Sequence, residues 1–546
     1  KVHTTGHRNI AIGNYAMSDT NAGSTSLGSV DNIFMGYNAG GGTWTDVASN
    51  QNVAIGNYAM DSALDGALNN TAVGYASLGG ITTGDSNTAL GHNAGVSITT
   101  GAENVTIGKA SGDSISGGNY NTILGSSSAP TLAGGSYNNI IGRRAGYSLS
   151  SGEYNTALGS AALYSLQTGQ GNVGVGQSAG YSMVGSGGVF VGYEAGHGVS
   201  SADIVLIGYK AGKRAYGTSN VGIGYNALYG ADSTAANNTG TNNTAIGQNA
   251  LKWFSKTVGT TAVGSEAGYY TTGSYNSFFG YKAGHGGTTS APYSSGGSNT
   301  ALGYNALPVF TTGERNVAVG PSALSNVSTG YRNVGIGDRA NQGVSTGHSN
   351  VSIGYLAGYG GNVSANVAIG AEALFTANGS ANVAVGMEAG RYTTANDGVW
   401  IGKSAGSTGA GGGQSVIVGY YAGRYIVGSQ VVHVGRYAGH YATGSYNTFV
   451  GYNAGQGGTT SAPYSSGQYN TALGNEALEG FTTGENNVAI GFRTAEAITT
   501  GGSNVAIGAY AFDASTTPSN NTSIGFRAGG AHTTGDNNTW VGKEAG

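Results

Sequence analysis

The phrase NIAIGNYAM at residues 9–17 decides the fold, because variants of it recur to the end of the chain, where NTWVGKEAG fills residues 538–546. The phrase reads Asn, apolar, any, apolar, Gly, any, any, Ala, and it occurs 31 times. Of the 30 intervals between its glycines, 24 are 16 or 17 residues, four are 23, one is 20 and one is 18. Representative copies of the Asn and Gly are Asn9 and Gly13, Asn52 and Gly56, Asn87 and Gly91, Asn316 and Gly320, and Asn504 and Gly508.

This period predicts an all-β parallel β-solenoid of about 31 coils. A helical repeat needs more than about 30 residues, whereas 16 or 17 residues suit two strands of about five residues and two turns. We expect the apolar residues on either side of the middle strand residue to face the coil interior. The Gly is expected at a corner where φ is positive or where the backbone packs too closely for a Cβ. The Ala three residues later, present in 27 copies, is expected to lie in the second strand.

The Asn four residues before the Gly is present in 25 of the 31 copies. Stacking the coils would place these amides in a column, where each can bond to the next. Asn also favours turns without any ladder. Both interpretations are structural, and neither implies chemistry.

The composition supports an ordered, repetitive chain. Gly contributes 104 of 546 residues, charged residues only 8% and Cys none, whereas hydrophobic residues make up 39%. The net charge of −4 comes without a basic cluster, so we do not expect nucleic-acid binding. No apolar stretch approaches the roughly 18 residues of a membrane span. Because the chain begins with Lys, we interpret residues 1–546 as one continuous repeat array from a longer fibre.

The phrases NVAIG, NTAVG, NTALG and NVAVG resemble the head repeats of trimeric autotransporter adhesins, the YadA-like head, and related repeats of bacteriophage tail fibres. The resemblance covers nearly the whole chain and implies a left-handed β-roll, three chains around a common axis, and attachment to a host surface. Two departures are coils lengthened by TTG turns, as at Thr82–Gly84, and the lack of stalk heptads and of a barrel anchor.

We also expect association from the repeat itself, because one small coil encloses a thin core. The residue between the two apolar ones is small in many copies, and we expect it to point outward and to allow close approach of neighbouring chains. Its representatives are Ala11, Ala54, Ala89, Ala301 and Ala472. Together with the resemblance, this predicts a homotrimer.

Longer intervals predict inserted loops, which in solenoids often form the binding face. The loops fall near residues 14–31, 40–51, 229–242, 284–298 and 455–469, and a ten-coil block repeats with an offset of 171 residues. The last two loops both contain TTSAPYSSG. Our candidate ligand-binding residues are therefore Tyr293 and Tyr464, which could instead cap the local edge, and Trp44, expected to be exposed.

The sequence predicts no enzyme, cofactor or metal site, since it has no Cys nucleophile and no HExxH. Glu372 and Glu388 could share a cation, although carboxylates in such positions are usually just solvated. We expect an extracellular adhesin or tail-fibre segment, on a bacterial surface or a phage, that binds a host receptor or glycan. A structural spacer with the binding tip elsewhere is the alternative, and an ice-binding solenoid is a minor one.

Overall fold

The computed structural model describes residues 6–18, 28–45, 47–230, 238–288, 293–376, 378–460 and 462–546. These residues form a parallel β-solenoid with one three-residue strand in each coil and no α-helix among them. The chain divides into two compact units, residues 1–275 (unit 1) and residues 276–546 (unit 2).

Unit 1 contains the strands β1 (Ile10–Ile12), β2 (Ile33–Met35), β3 (Val53–Ile55), β4 (Thr71–Val73), β5 (Thr88–Leu90), β6 (Val105–Ile107), β7 (Thr122–Leu124), β8 (Asn139–Ile141), β9 (Thr156–Leu158), β10 (Val173–Val175), β11 (Val189–Val191), β12 (Val205–Ile207), β13 (Val221–Ile223), β14 (Thr244–Ile246) and β15 (Thr261–Val263). Each strand pairs in parallel with the next, and equivalent residues lie opposite each other, as Val53 does with Thr71. The repeat therefore sets the register.

Unit 2 contains β16 (Ser277–Phe279), β17 (Thr300–Leu302), β18 (Val317–Val319), β19 (Val334–Ile336), β20 (Val351–Ile353), β21 (Val367–Ile369), β22 (Val383–Val385), β23 (Val399–Ile401), β24 (Val416–Val418), β25 (Val432–Val434), β26 (Thr448–Val450), β27 (Thr471–Leu473), β28 (Val488–Ile490), β29 (Val505–Ile507), β30 (Thr522–Ile524) and β31 (Thr539–Val541). Their pairing follows the same rule, as between Val383 and Val399. The described residues include no helix that is long and apolar enough to cross a membrane.

The prediction of two strands in each coil is wrong. The segment after the corner Gly, including the buried Ala, is a turn, because residues two and four positions after the Gly adopt left-handed φ values, as Tyr58 (+62°) and Met60 (+48°) do. The turns still bond between coils, since Tyr58 N donates to Tyr37 O at 2.9 Å. Hydrogen bonds between coils therefore continue beyond the strands.

The direction of the strand side chains is also the reverse of our expectation. The middle residue points into the coil and its apolar neighbours point out: Ala301 is 0% exposed and Leu302 is 49% exposed. Ala54, Ala89 and Ala472 are likewise buried, whereas Ala11, in the first strand, is exposed. The physical reason is volume, because this middle position also holds the large core side chains Phe34, Phe190, Phe278, Trp400 and Phe449.

The corner glycines have the geometry that the sequence predicts. All 31 have φ between +118° and +143°, as at Gly13, Gly56, Gly91, Gly320 and Gly508. A Cβ on Gly56 would lie 2.3 Å from the carbonyl oxygen of Gly74 in the next coil. Any side chain at this corner would therefore push neighbouring coils apart.

The asparagines form hydrogen-bonded columns inside the coils. Asn52 Nδ2 donates to Asn32 Oδ1 at 3.2 Å, and Asn504 Nδ2 donates to Asn487 Oδ1 at 2.9 Å. The same amide nitrogen also donates to a backbone carbonyl, as from Asn87 to Gly101 O at 2.8 Å. Each buried amide thereby ties one coil to its neighbours.

Candidate functional site

Trp44 is buried, so the expectation that it is exposed at the surface is wrong. Its side chain is fully buried, and its indole Nε1–H donates to Gly40 O at 3.0 Å. The ring packs edge-on against Phe34 with centroids 5.7 Å apart. In the connection at residues 40–51, of which residue 46 lies outside the described residues, the indole lies against a core phenylalanine, and this burial stabilises the fold instead of offering a binding surface.

Tyr464 lies on the surface, in the inserted loop at residues 455–469, of which residue 461 lies outside the described residues. The half-buried ring stacks on Tyr425 at 4.6 Å and on Tyr441 at 5.9 Å between centroids. The next residue anchors the loop, because Ser465 N donates to Tyr441 O at 3.1 Å and Thr443 N donates to Ser465 O at 2.7 Å. The insertion therefore returns to the coil and places its tyrosine on an aromatic surface.

Around Tyr464 lies a larger aromatic cluster, defined here as Tyr421, Tyr425, Tyr437, His440, Tyr441 and Tyr464. His440 packs edge-on against Tyr441, with centroids 4.3 Å apart. The Arg424 guanidinium lies over Tyr421 at 4.7 Å and over Tyr425 at 5.3 Å. Burial lowers the pKa of His440. At neutral pH the cluster therefore presents aromatic faces and the positive charge of Arg424.

Tyr293 occupies the equivalent loop at residues 284–298, of which residues 289–292 lie outside the described residues. Its ring is also half-buried. Both loops share one polar contact, because Thr288 Oγ1 lies 3.1 Å from Ser294 Oγ and Thr459 Oγ1 lies 3.0 Å from Ser465 Oγ. In the insertions predicted near residues 14–31 and 229–242, residues 19–27 and 231–237 lie outside the described residues.

Other tyrosines form columns along successive coils. Tyr193, Tyr209 and Tyr225 stack at 5.3 and 5.2 Å between centroids. Tyr147, Tyr164 and Tyr181 stack at 4.9 and 4.8 Å. These distances are close to the spacing of hydrogen-bonded strands, so the repeat itself brings the rings together. Most ring faces in a column are thus covered by the next ring.

The carboxylates singled out in the sequence are paired with arginine. Arg391 forms ion pairs with both of them. Its Nη2 pairs with Glu372, and its Nη1 lies 3.4 Å from Oε1 of Glu388. The guanidinium thus takes the place of the cation that the sequence suggested. A second group of neighbouring carboxylates consists of Glu476, Glu479 and Glu496. This group also contacts an arginine, because Arg493 Nε lies 2.5 Å from Glu476 Oε2. Burial raises the pKa of Glu479 and of Glu496.

No protein-family model matches the chain, and no curated protein matches it.

Proposed function

We propose that this chain is a non-enzymatic segment of an extracellular adhesin or tail fibre, displayed on a bacterial surface or a phage virion, that attaches to a host or environmental surface. The observation that carries the proposal is the aromatic cluster around Tyr464. An insertion into an otherwise regular coil ends on a surface tyrosine that joins two others. Such clusters of rings beside a guanidinium suit the apolar faces of sugar rings or of protein surfaces.

Adhesion of the labelled chain to a panel of bacterial and animal cells, and to a glycan array, tests this proposal. We expect the intact chain to bind at least one of these surfaces. The Tyr293→Ala, Tyr464→Ala double variant should then lose at least tenfold of that binding, because both inserted loops lose the tyrosine ring that they place at the surface.

A matched control replaces two exposed tyrosines that neither lie in the loops nor stack on a loop residue, Tyr120 and Tyr304, each stacked on one neighbouring ring. We expect this double variant to bind like the unmodified chain. If the unmodified chain binds no surface, the segment is instead a structural spacer and its binding tip lies elsewhere.

We further propose that the chain assembles as a homotrimer, as the repeats' resemblance to YadA-like heads implies, with the left-handed coil of that family. The support is the outward strand face. Apolar side chains at the last strand position stay partly exposed in coil after coil, including Phe279, Leu302 and Ile401. Covering this face with further copies would stabilise it by about 25 cal/mol for each Å² of apolar surface. Three linked copies would also multiply weak attachment contacts.

The Leu302→Glu variant should fail to assemble. A carboxylate at this outward strand position would have to be buried between chains without a partner, which is strongly unfavourable. We expect its mass, measured by light scattering, to fall to that of one chain while its circular dichroism stays unchanged.

The control is Val427→Glu, since Val427 is also exposed, at 61%, but lies outside the strands. We expect this variant to keep the mass of the unmodified chain. Assembly that survives Leu302→Glu would mean that the outward strand face is not the contact between copies.

A further inference from the structure

A surface hollow in unit 1 has the composition of a ligand site. Its volume is about 210 Å³, and it is lined by Lys210, Tyr225, Asn226, Tyr229, Lys252 and Trp253. These residues come from three successive coils and follow the corner glycines Gly208, Gly224 and Gly247. The hollow is smaller than the roughly 300–1,000 Å³ of pockets that enclose drug-sized ligands, so it suits one ring of a longer molecule.

The hollow contains aromatic surface at the end of a tyrosine column. Tyr225 is the last ring of the column that begins at Tyr193, because the next coil has Gln248 at this position. Its side chain is 50% exposed. Tyr229 and Trp253 meet edge-to-face nearby, with centroids 6.4 Å apart. A ligand ring could therefore pack against the exposed surface of Tyr225.

Two ammonium groups make the hollow positive. Lys210 Nζ lies 4.8 Å from the centre of the Tyr209 ring. Lys252 Nζ donates to the hydroxyl of Tyr269 at 3.0 Å and lies 5.3 Å from the Trp253 ring. None of the six lining residues is acidic. Neighbouring rings thus hold both lysines beside a hollow whose lining, among the described residues, includes no carboxylate, which favours an anionic ligand.

Asn226 adds a buried polar group that lacks a full set of partners. Its side chain is 8% exposed, and its Nδ2 donates to Asn249 Oδ1 at 3.4 Å. Within the part of the chain that the structure describes, its Oδ1 has no hydrogen-bond partner. A buried acceptor without a donor is unfavourable, and a ligand hydroxyl that reached this oxygen would supply the missing donor.

We infer that this hollow binds a carboxylated sugar residue of an acidic polysaccharide, with its carboxylate at Lys210 and Lys252, its ring face on Tyr225 and a hydroxyl at Asn226. This inference rests on the proposed attachment function and gives the chemical class of one of its ligands. A sugar acid combines the three features that the hollow accommodates, which are an anion, an apolar ring face and hydroxyl groups.

Isothermal titration of the full chain with hexameric oligogalacturonate, and with the neutral galactose hexamer, tests the inference. We expect the acidic hexamer to bind at least tenfold more tightly than the neutral one. Its affinity should also fall as salt is raised from 50 to 500 mM, because salt screens the charges of the lysines. Equal affinities, or no binding of the acidic hexamer, would overturn the inference.

Variants locate the binding to the hollow. The Lys210→Gln, Lys252→Gln double variant and the Tyr225→Ala variant should each weaken binding of the acidic hexamer at least tenfold. The control Lys109→Gln, which removes an exposed lysine outside the hollow, should leave binding unchanged. Full binding by the lysine double variant would also overturn the inference.

The adhesion experiment separates the two ideas. If the chain attaches to cells but does not bind oligogalacturonate, the hollow is not a sugar-acid site and the attachment function stands. If the chain binds oligogalacturonate but attaches to no cell and no arrayed glycan, the hollow is a site and the attachment function fails.

Discussion

We expect the Asn104→Ala variant to lose about 4 kcal/mol of local stability in unit 1. Asn104 Nδ2 donates to Asn87 Oδ1 at 3.0 Å and to Gly118 O at 2.8 Å, and its Oδ1 accepts from both N and Nδ2 of Asn121 at 3.0 Å. All four bonds are buried, and each contributes about 1 kcal/mol. Amide hydrogen exchange in the coils next to Asn104 should accelerate by roughly a thousandfold, because about 1.4 kcal/mol corresponds to a factor of ten.

The control is Asn119→Ala, which removes the same amide from the surface of the same region. Asn119 Oδ1 accepts one hydrogen bond, from Ala102 N at 2.7 Å. We expect this change to cost less than about 1 kcal/mol. If Asn104→Ala costs no more than its control, the column merely reflects the turn preference of asparagine and does not hold the coils together.

The His433→Phe variant should stabilise unit 2 at acidic pH. His433 is fully buried, its ring stacks on Phe449 with centroids 5.0 Å apart, and neither ring nitrogen has a hydrogen-bond partner among the described residues. Burial lowers its pKa from 6.5 to about 3. Between these pH values the unfolded chain binds a proton at His433 and the folded chain does not, so the protein loses stability as the pH falls.

This loss amounts to about 1.4 kcal/mol for each pH unit, and thus to about 3 kcal/mol at pH 4.5. The phenylalanine substitution removes this loss of stability, because phenylalanine does not bind a proton. It should also fit the core, since Phe278 and Phe449 fill the same strand position in other coils. Urea unfolding at pH 4.5 and pH 7.5 should show a much larger gain at the lower pH. A weaker acid sensitivity of unit 2 will remain, since burial also lowers the pKa of His440.

The exposed His92, which stacks on Tyr75 at 5.0 Å between centroids, provides the control. We expect His92→Phe, the same replacement at the surface, not to reproduce the gain of His433→Phe. An equal gain for His433→Phe at both pH values would show that His433 does not carry the predicted acid sensitivity.

The sequence predicts those parts of the fold in which only one type of residue fits the local backbone conformation or its hydrogen bonds. Gly56 is needed where φ is +140° and where a Cβ would meet the next coil. Asn52 is needed where one side chain can donate to an amide and to a carbonyl at once. Their spacing therefore predicts coils and corners, and it allows the column of amides without distinguishing it from a turn preference of asparagine.

The inward direction of the middle strand residue was not predicted, because an apolar, small, apolar triplet can pack with either face inward. The sizes at the middle position contained the missing signal. This position holds residues as small as Gly174 and Gly222 and as large as Trp400. Such a range of side-chain volumes is typical of core residues, because a large side chain can fill the space that a small neighbour leaves. A Cβ on Gly222 would lie 2.9 Å from Leu206, which already fills that space.

The partners of the candidate site residues were also beyond sequence reasoning. Tyr464 stacks on Tyr425 and Tyr441, although it lies farther from its corner glycine than they lie from theirs. The insertion causes this difference, so matching positions in successive repeats does not predict the contact. Trp44 lies in another insertion that turns inward. The direction of an inserted loop depends on packing that the repeat does not encode.

Measuring the mass of the purified chain in neutral solution tests most directly whether it works as an assembled fibre. One chain has a mass of 54.1 kDa. We predict a single species of three times that mass in light scattering, with the outward strand faces covered by the other copies. A species of one chain mass at micromolar concentration would contradict this and would leave the apolar strand face open to solvent.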